Sequence, residues 1–154
     1  MQVVNEVFPS DPAQVRSLME KGPDGPIFMV NMLKFHDRAQ YDDGRETTLT
    51  GREAYMIYGR AVVQLLPNFG GLGIFAADVT HLSLGKVEEL WDEIAIAMYP
   101  TRRAMVEMSM SEEWRAIAVH RSAGLKGQLN IETVATKDGD GDGAMAKLMA
   151  ALLA

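Results

Sequence analysis

Seven side chains of this sequence could bind or transform a small molecule and stand where the pattern around them is otherwise apolar: Asn31, Tyr58, His81, Asp92, Tyr99, His120 and Arg121. Asn31 interrupts the run PIFMVNMLKF, residues 26–35, and in a strand it shares its side with Ile27, Met29, Leu33 and Phe35. A buried amide there must be hydrogen-bonded, to neighbouring backbone or to a ligand. Tyr58 falls on the apolar stripe of a helix with a hydroxyl that needs a partner. Arg121 continues the apolar face of Trp114, Ile117 and Ala118, so it requires a carboxylate, predicted to be Asp92, or a bound anion. The competing reading has Arg121 reaching out to solvent near its helix end. His120, on the flank of that helix, and Tyr58 are the candidate catalytic groups. Asn31, Asp92, Tyr99, Arg121 and His81 are the candidate substrate contacts, although a strand histidine such as His81 also reads as a structural one.

These residues depend on a small set of elements. Asp11, Pro12 and Gln14 mark a first helix, which Gly22 and Pro23 stop; Val15, Leu18 and Met19 form its short stripe. Residues 1–9 read as an edge strand. The run at 26–35 is apolar enough for a central strand or for a sheet facing a partner subunit. Residues 36–49 are polar and loop-like, in the manner of a binding loop. Thr50 and Glu53 form a capping box for a helix that Pro67 ends, with an inner stripe of Ala54, Ile57, Tyr58, Ala61, Val62, Leu65 and Leu66 and with Tyr55 off it. Gly70 and Gly71 turn the chain into a second strand over 72–84. Residues 92–99 alternate, with Asp92, Ile94, Ile96 and Met98 on one side and Glu93, Ala95, Ala97 and Tyr99 on the other. Thr101 and Ser111 cap two further helices, and residues 127–136 read as the closing strand. One unit over 1–136, with its core at 26–134, is followed at 137–154 by a Gly/Asp linker and a helix carrying Met145, Leu148, Met149 and Leu152 on one face.

Composition removes several functions. The chain has 154 residues, 47% hydrophobic and 23% charged, with a formal net charge of -6 and no basic stripe, which argues against nucleic acid or an anionic membrane as a partner. It contains no cysteine, so thiolate nucleophiles and cysteine metal sites are excluded. No leader and no membrane span can be read, and a cytoplasmic location is expected. Gly71, Gly73 and Ala76 imitate a dinucleotide-binding pattern, but a helix precedes them and a strand follows, the reverse of what that motif needs. Asp138, Asp140, Asp142 and Gly143 imitate a calcium loop without its closing glutamate. His36, Asp37, Asp42 and Asp43 have no metal-ligand spacing, so neither metal nor cofactor is expected. The eleven methionines suit core packing or an adaptable apolar surface.

Strand, helix, strand, strand, helices, strand is the α+β, ferredoxin-like βαββαβ plan, whose open sheet calls for a partner. The segments PIFMVNMLKF, TGREAYMIYGRAVVQLL and WDEIAIAMYPTRRAMVEM with SEEWRAIAVHRSAGL resemble the uncharacterised-domain family DUF 1330 across about residues 26–134. The positions matching its pattern are Asn31, Tyr58, Trp91, Asp92, Tyr99, His120 and Arg121. The resemblance implies a homodimeric α/β-barrel in which two four-stranded sheets pack face to face. Its superfamily also holds cofactor-independent monooxygenases, haem-degrading enzymes, muconolactone isomerases and chlorite-dismutase-like proteins. Three readings follow: a small enzyme acting on an apolar or aromatic substrate between sheet and helices, a non-catalytic binding module using the same pocket, and polar residues that merely tie helices to sheet.

Overall fold

The computed structural model describes residues 5–7 and 9–135; the expected linker and terminal helix, and most of the expected N-terminal strand, lie outside them. Helix α1 (Pro12–Leu18) begins as anticipated, with the Asp11 carboxylate accepting from the Ala13 amide. Its stripe is not buried: Val15, Leu18 and Met19 are all exposed. Strand β1 (Ile27–Phe35) leads through the 36–49 loop to helix α2 (Gly51–Leu65), a 3-10 turn at Leu66–Phe69, and strands β2 (Leu72–Asp78) and β3 (Glu93–Tyr99). Helices α3 (Arg102–Met110) and α4 (Glu112–Gly124) and strand β4 (Leu125–Thr133) complete the chain. The capping box at Thr50 and Glu53 and the caps at Thr101 and Ser111 all form.

The four strands run in the order β2-β3-β1-β4, every neighbour antiparallel. This is the ferredoxin-like sheet, two split βαβ units with each pair's missing strand supplied by the other. Ile27, Met29, Leu33, Phe35, Ala95, Ala97 and Tyr99 face the helices and join α2 and α4 in the core. The opposite side carries Phe28, Val30, Met32, Ile94, Ile96 and Met98, flanked by Phe75 and Ile131, which are exposed. Among the described residues no helix joins these side chains in a core cluster.

Two expectations change. Strand β2 ends at Asp78 rather than at Leu84, because its partner β3 begins only at Glu93 and Asp78 pairs with that residue. Helix α2 is rotated relative to the predicted stripe: Tyr55 is buried, whereas Ile57 is 39% exposed. The cause is the crossing with α4. A Cβ on Gly51 would meet the Gly124 oxygen at 2.5 Å and the His36 oxygen at 2.3 Å, and one on Gly124 would meet the Gly51 oxygen at 2.4 Å. Backbone contact at this point turns the Tyr55 side of α2 inward.

Replacing Gly51 with Ala drives a methyl group into backbone that cannot move aside, and overpacking of this kind costs about 1–3 kcal/mol or more. Thr50→Ala, which removes only the cap, should cost about 1 kcal/mol. Urea unfolding of the two variants should therefore rank Gly51→Ala as the more damaging; the reverse order would mean that the helices do not touch here.

Candidate active or binding layer

Helices α2 and α4 enclose an aromatic and polar layer against the sheet. Tyr58 is buried at the middle of α2 and accepts a hydrogen bond from Trp114 Nε1 at 3.3 Å. One turn earlier, the Tyr55 ring lies 5.5 Å from that of Tyr58 and 5.3 Å from that of Phe35. Tyr99, the last residue of β3, is buried in the adjoining cluster with Ile27, Met29 and Met108. Among the described residues the hydroxyls of Tyr55 and Tyr99 bond to nothing, and the Tyr58 proton has no acceptor. Among the described residues no fully enclosed polar side-chain atom goes unbonded.

Burial holds the protons on all three tyrosines above their ordinary range. Their mutual proximity adds to this at Tyr55 and Tyr99, and the positive charge of Arg121 opposes it at Tyr55 and Tyr58. The layer thus offers neutral hydroxyl donors near a cation.

Arg121 is buried, as its place on the apolar face predicts, but Asp92 is not its partner. Its guanidinium donates to Gln128 Oε1 and, at 3.4 Å, to the Val7 carbonyl. Gln128 Nε2 donates to Asn31 Oδ1 at 2.8 Å and to Asn130, and Asn31 Nδ2 donates to the carbonyls of Met29 at 3.0 Å and Ala95 at 3.3 Å. Hydrogen bonds therefore run from α4 across β4 and β1 to β3. Asp92 stands on the other side of β1 from Gln128, just before β3, taking the Lys34 ammonium at 2.9 Å and the Phe35 amide at 2.8 Å. There it clasps the register shift of β1 between Lys34 and Phe35, a local need for a backbone acceptor that spacing alone does not display.

The two histidines expected to serve the site are elsewhere. His120 turns toward the 36–49 loop, where its Nδ1 lies 2.7 Å from the Tyr41 hydroxyl, with Arg45 stacked 4.7 Å above the Tyr41 ring. His81 is exposed on the connection between β2 and β3, since the strand expected to carry it has already ended. The 36–49 loop is pinned through Ala39, whose amide bonds the Leu49 carbonyl, and through Gln40, whose amide bonds the Ala123 carbonyl. Among the described residues no group of three or more His, Asp or Glu side chains could hold a metal. No helix of the described residues is long and apolar enough to cross a membrane.

The layer contains residues that the sequence reading passed over. The helix rotation that the apolar spacing predicts puts Tyr55 off the stripe, whereas the structure buries it. Gln128 and Glu93 sat in strands whose alternation was visible, so their inward direction could have been read. Glu93 is 8% exposed and receives Arg52 at 3.0 Å, while burial raises its pKa.

Among solved structures, the chain is 30% identical to the RPA0582 protein of Rhodopseudomonas palustris, a protein of unknown function, over 88% of this chain and 100% of that one, with a TM-score of 0.76. The chain belongs to the RPA0582 family. The methylated RPA0582 protein is 31% identical over 89% and 99% of the two chains, with a TM-score of 0.77. A Bacteroides fragilis protein of unknown function, described as dimeric and ferredoxin-like, is 9% identical over 70% of this chain and 94% of its own, with a TM-score of 0.48. No family model matches the chain, and no curated protein matches it.

If the RPA0582-family layer is as protected as its geometry implies, alkaline titration followed by ultraviolet absorption should show three of the four tyrosines resisting ionisation while the fold persists. Their folded pKa values lie above the unfolded value, so the stability they contribute is complete below pH about 10 and is lost as the pH climbs past it. Early ionisation of all four, with circular dichroism unchanged, would contradict the burial.

Proposed function

We propose that this protein is a homodimeric α/β-barrel of the DUF 1330 kind that binds a small, largely apolar organic molecule in the layer between sheet and helices. Tyr58, Tyr55 and Tyr99 donate to its oxygen atoms, and Arg121 favours a negative or strongly polarised group. The observation that carries this reading is the set of three inward tyrosines with hydroxyl protons unspent among the described residues. A site built to satisfy such donors gains from a ligand oxygen what it otherwise forgoes. Asn31 supports the layer through Gln128 rather than meeting the ligand first.

A binding role fits the geometry better than a catalytic one, because His120 and His81, the expected proton carriers, stand outside the layer. The catalytic alternative, a monooxygenase- or isomerase-like enzyme without a cofactor, is favoured by Glu93. Its carboxylate reaches the layer beside Tyr55 and keeps its proton more firmly than an exposed one. The dimer is supported by the apolar outer side of the sheet, whose half-buried Val30, Ile94 and Ile96 suit a second copy of the same face.

Native mass spectrometry of the purified protein should return a dimer carrying a discrete added mass, and Ile96→Asp should return a monomer. Tyr58→Phe should weaken retention of the added mass by about tenfold, the loss of one useful hydrogen bond, with the fold intact by circular dichroism. An added mass indifferent to Tyr58→Phe, or variants at Tyr58 and Tyr99 that only unfold, would leave these residues a structural role alone.

A further inference from the structure

The connection between β2 and β3 is left largely without contacts by its own subunit. The sequence pattern extends a strand to Leu84, with Thr80, Leu82 and Leu84 on one side, yet β2 ends at Asp78. Among the described residues, residues 80–88 make no hydrogen bond and no ion pair. Leu84 is 91% exposed and Leu82 39%. One leucine in water needs no explanation. Two on the same side of a strand-like segment whose backbone is also unbonded offer a surface to another chain.

The foot of this connection is held on the outer side of the sheet. Lys34 lies between Leu33 and Phe35, which face the helices, so its side chain leaves on the other side. Its ammonium takes the Leu90 carbonyl at 2.8 Å and the Glu89 carboxylate at 3.4 Å, and Lys126 of β4 takes Glu89 at 2.9 Å. The connection thus runs from the end of β2 to the ends of β1 and β4. It rims the side that carries Phe75, Ile94, Ile96 and Val30.

That side alone is small for a stable dimer. Four strands about 4.8 Å apart and seven residues long, at about 3.3 Å per residue, cover roughly 450 Å². A standard interface takes about 800 Å² from each partner. The rim is the nearest source of the remainder.

We infer that residues 80–88 form an arm that grips a second copy of the chain, laying Leu82 and Leu84 against the partner's outer sheet side. The inference rests on the face-to-face dimer proposed above and adds the segment that secures it. A second copy is the fitting occupant because the arm and the side it rims form one continuous surface. Two-fold pairing presents each to its counterpart.

The chain has no cysteine, so single thiols report on the arm in the full protein. Leu84→Cys should react with a maleimide about tenfold more slowly, or slower still, than Val63→Cys at an exposed position of α2. In the Ile96→Asp monomer, or on dilution to monomer should that variant misfold, the two rates should converge. Leu82→Asp with Leu84→Asp, both at exposed side chains, should raise the dimer dissociation constant about tenfold or more, with circular dichroism unchanged. A dimer in which Leu84→Cys reacts as fast as Val63→Cys, or which the two aspartates leave equally tight, would overturn the arm while the face-to-face dimer stands. Slow labelling that persists in the monomer would also overturn it, giving Leu84 a place within its own subunit. A wild-type protein that is monomeric by native mass spectrometry would refute the arm and the dimer together.

Discussion

The backbone contact between Gly51 and Gly124 is the constraint on which the interior depends. At that crossing the first residue of α2 and the last of α4 meet without side chains between them, and the end of β1 is drawn into the same knot. The Gly51 amide bonds the His36 carbonyl, and the His36 amide bonds the Gly124 carbonyl. Two helices and the central strand are thereby fixed at one point, and their separation further along follows from it. Further along the same pair of helices, Trp114 Nε1 reaches the Tyr58 hydroxyl at 3.3 Å. The 36–49 loop, hung between β1 and α2, inherits its anchorage at Ala123 from the same contact.

The local parts of this structure were legible in the sequence, and the non-local parts were not. Caps at Asp11, Thr50, Thr101 and Ser111 are chosen by the backbone within three residues of themselves, so they read correctly. The alternation of residues 93–99 and the apolar run of β1 placed their sides correctly for the same reason. Tyr55 and Ile57 exchanged places because a helix stripe as broad as this one leaves its rotation open by a fraction of a turn, and a distant glycine in α4 decided it. Asp92 and Arg121 were paired by charge, the longest-ranged clue available. Nearer needs prevailed: an irregular strand end for one, and an amide network that includes Gln128 for the other. His81 was assigned to a strand whose length depended on where its partner began.

The interior layer differs from an ordinary core in the company its polar groups keep. The amides of Asn31 and Gln128 bond to one another and to backbone, which makes them a framework. The tyrosines bring hydroxyls to the helix side of the sheet without spending their protons among the described residues. A core selected for packing alone would have phenylalanine at such places, since a hydroxyl taken from water without a partner is a cost. Two of them, Tyr55 and Tyr58, also lie within the influence of the Arg121 guanidinium.

Asn31 has a consequence for how the sheet is assembled. Side chains alternate along a strand, so sliding β1 by one residue against its neighbours would turn Asn31 into the apolar outer side and bring Val30 or Met32 against Gln128. The misaligned sheet would bury the Asn31 amide without these partners and take from Gln128 the acceptor that orients it toward the Arg121 guanidinium. A strand of unbroken apolar residues would tolerate several alignments almost equally well. The single amide in the middle of β1 distinguishes one of them, and so serves the chain as a proofreading mark while it folds.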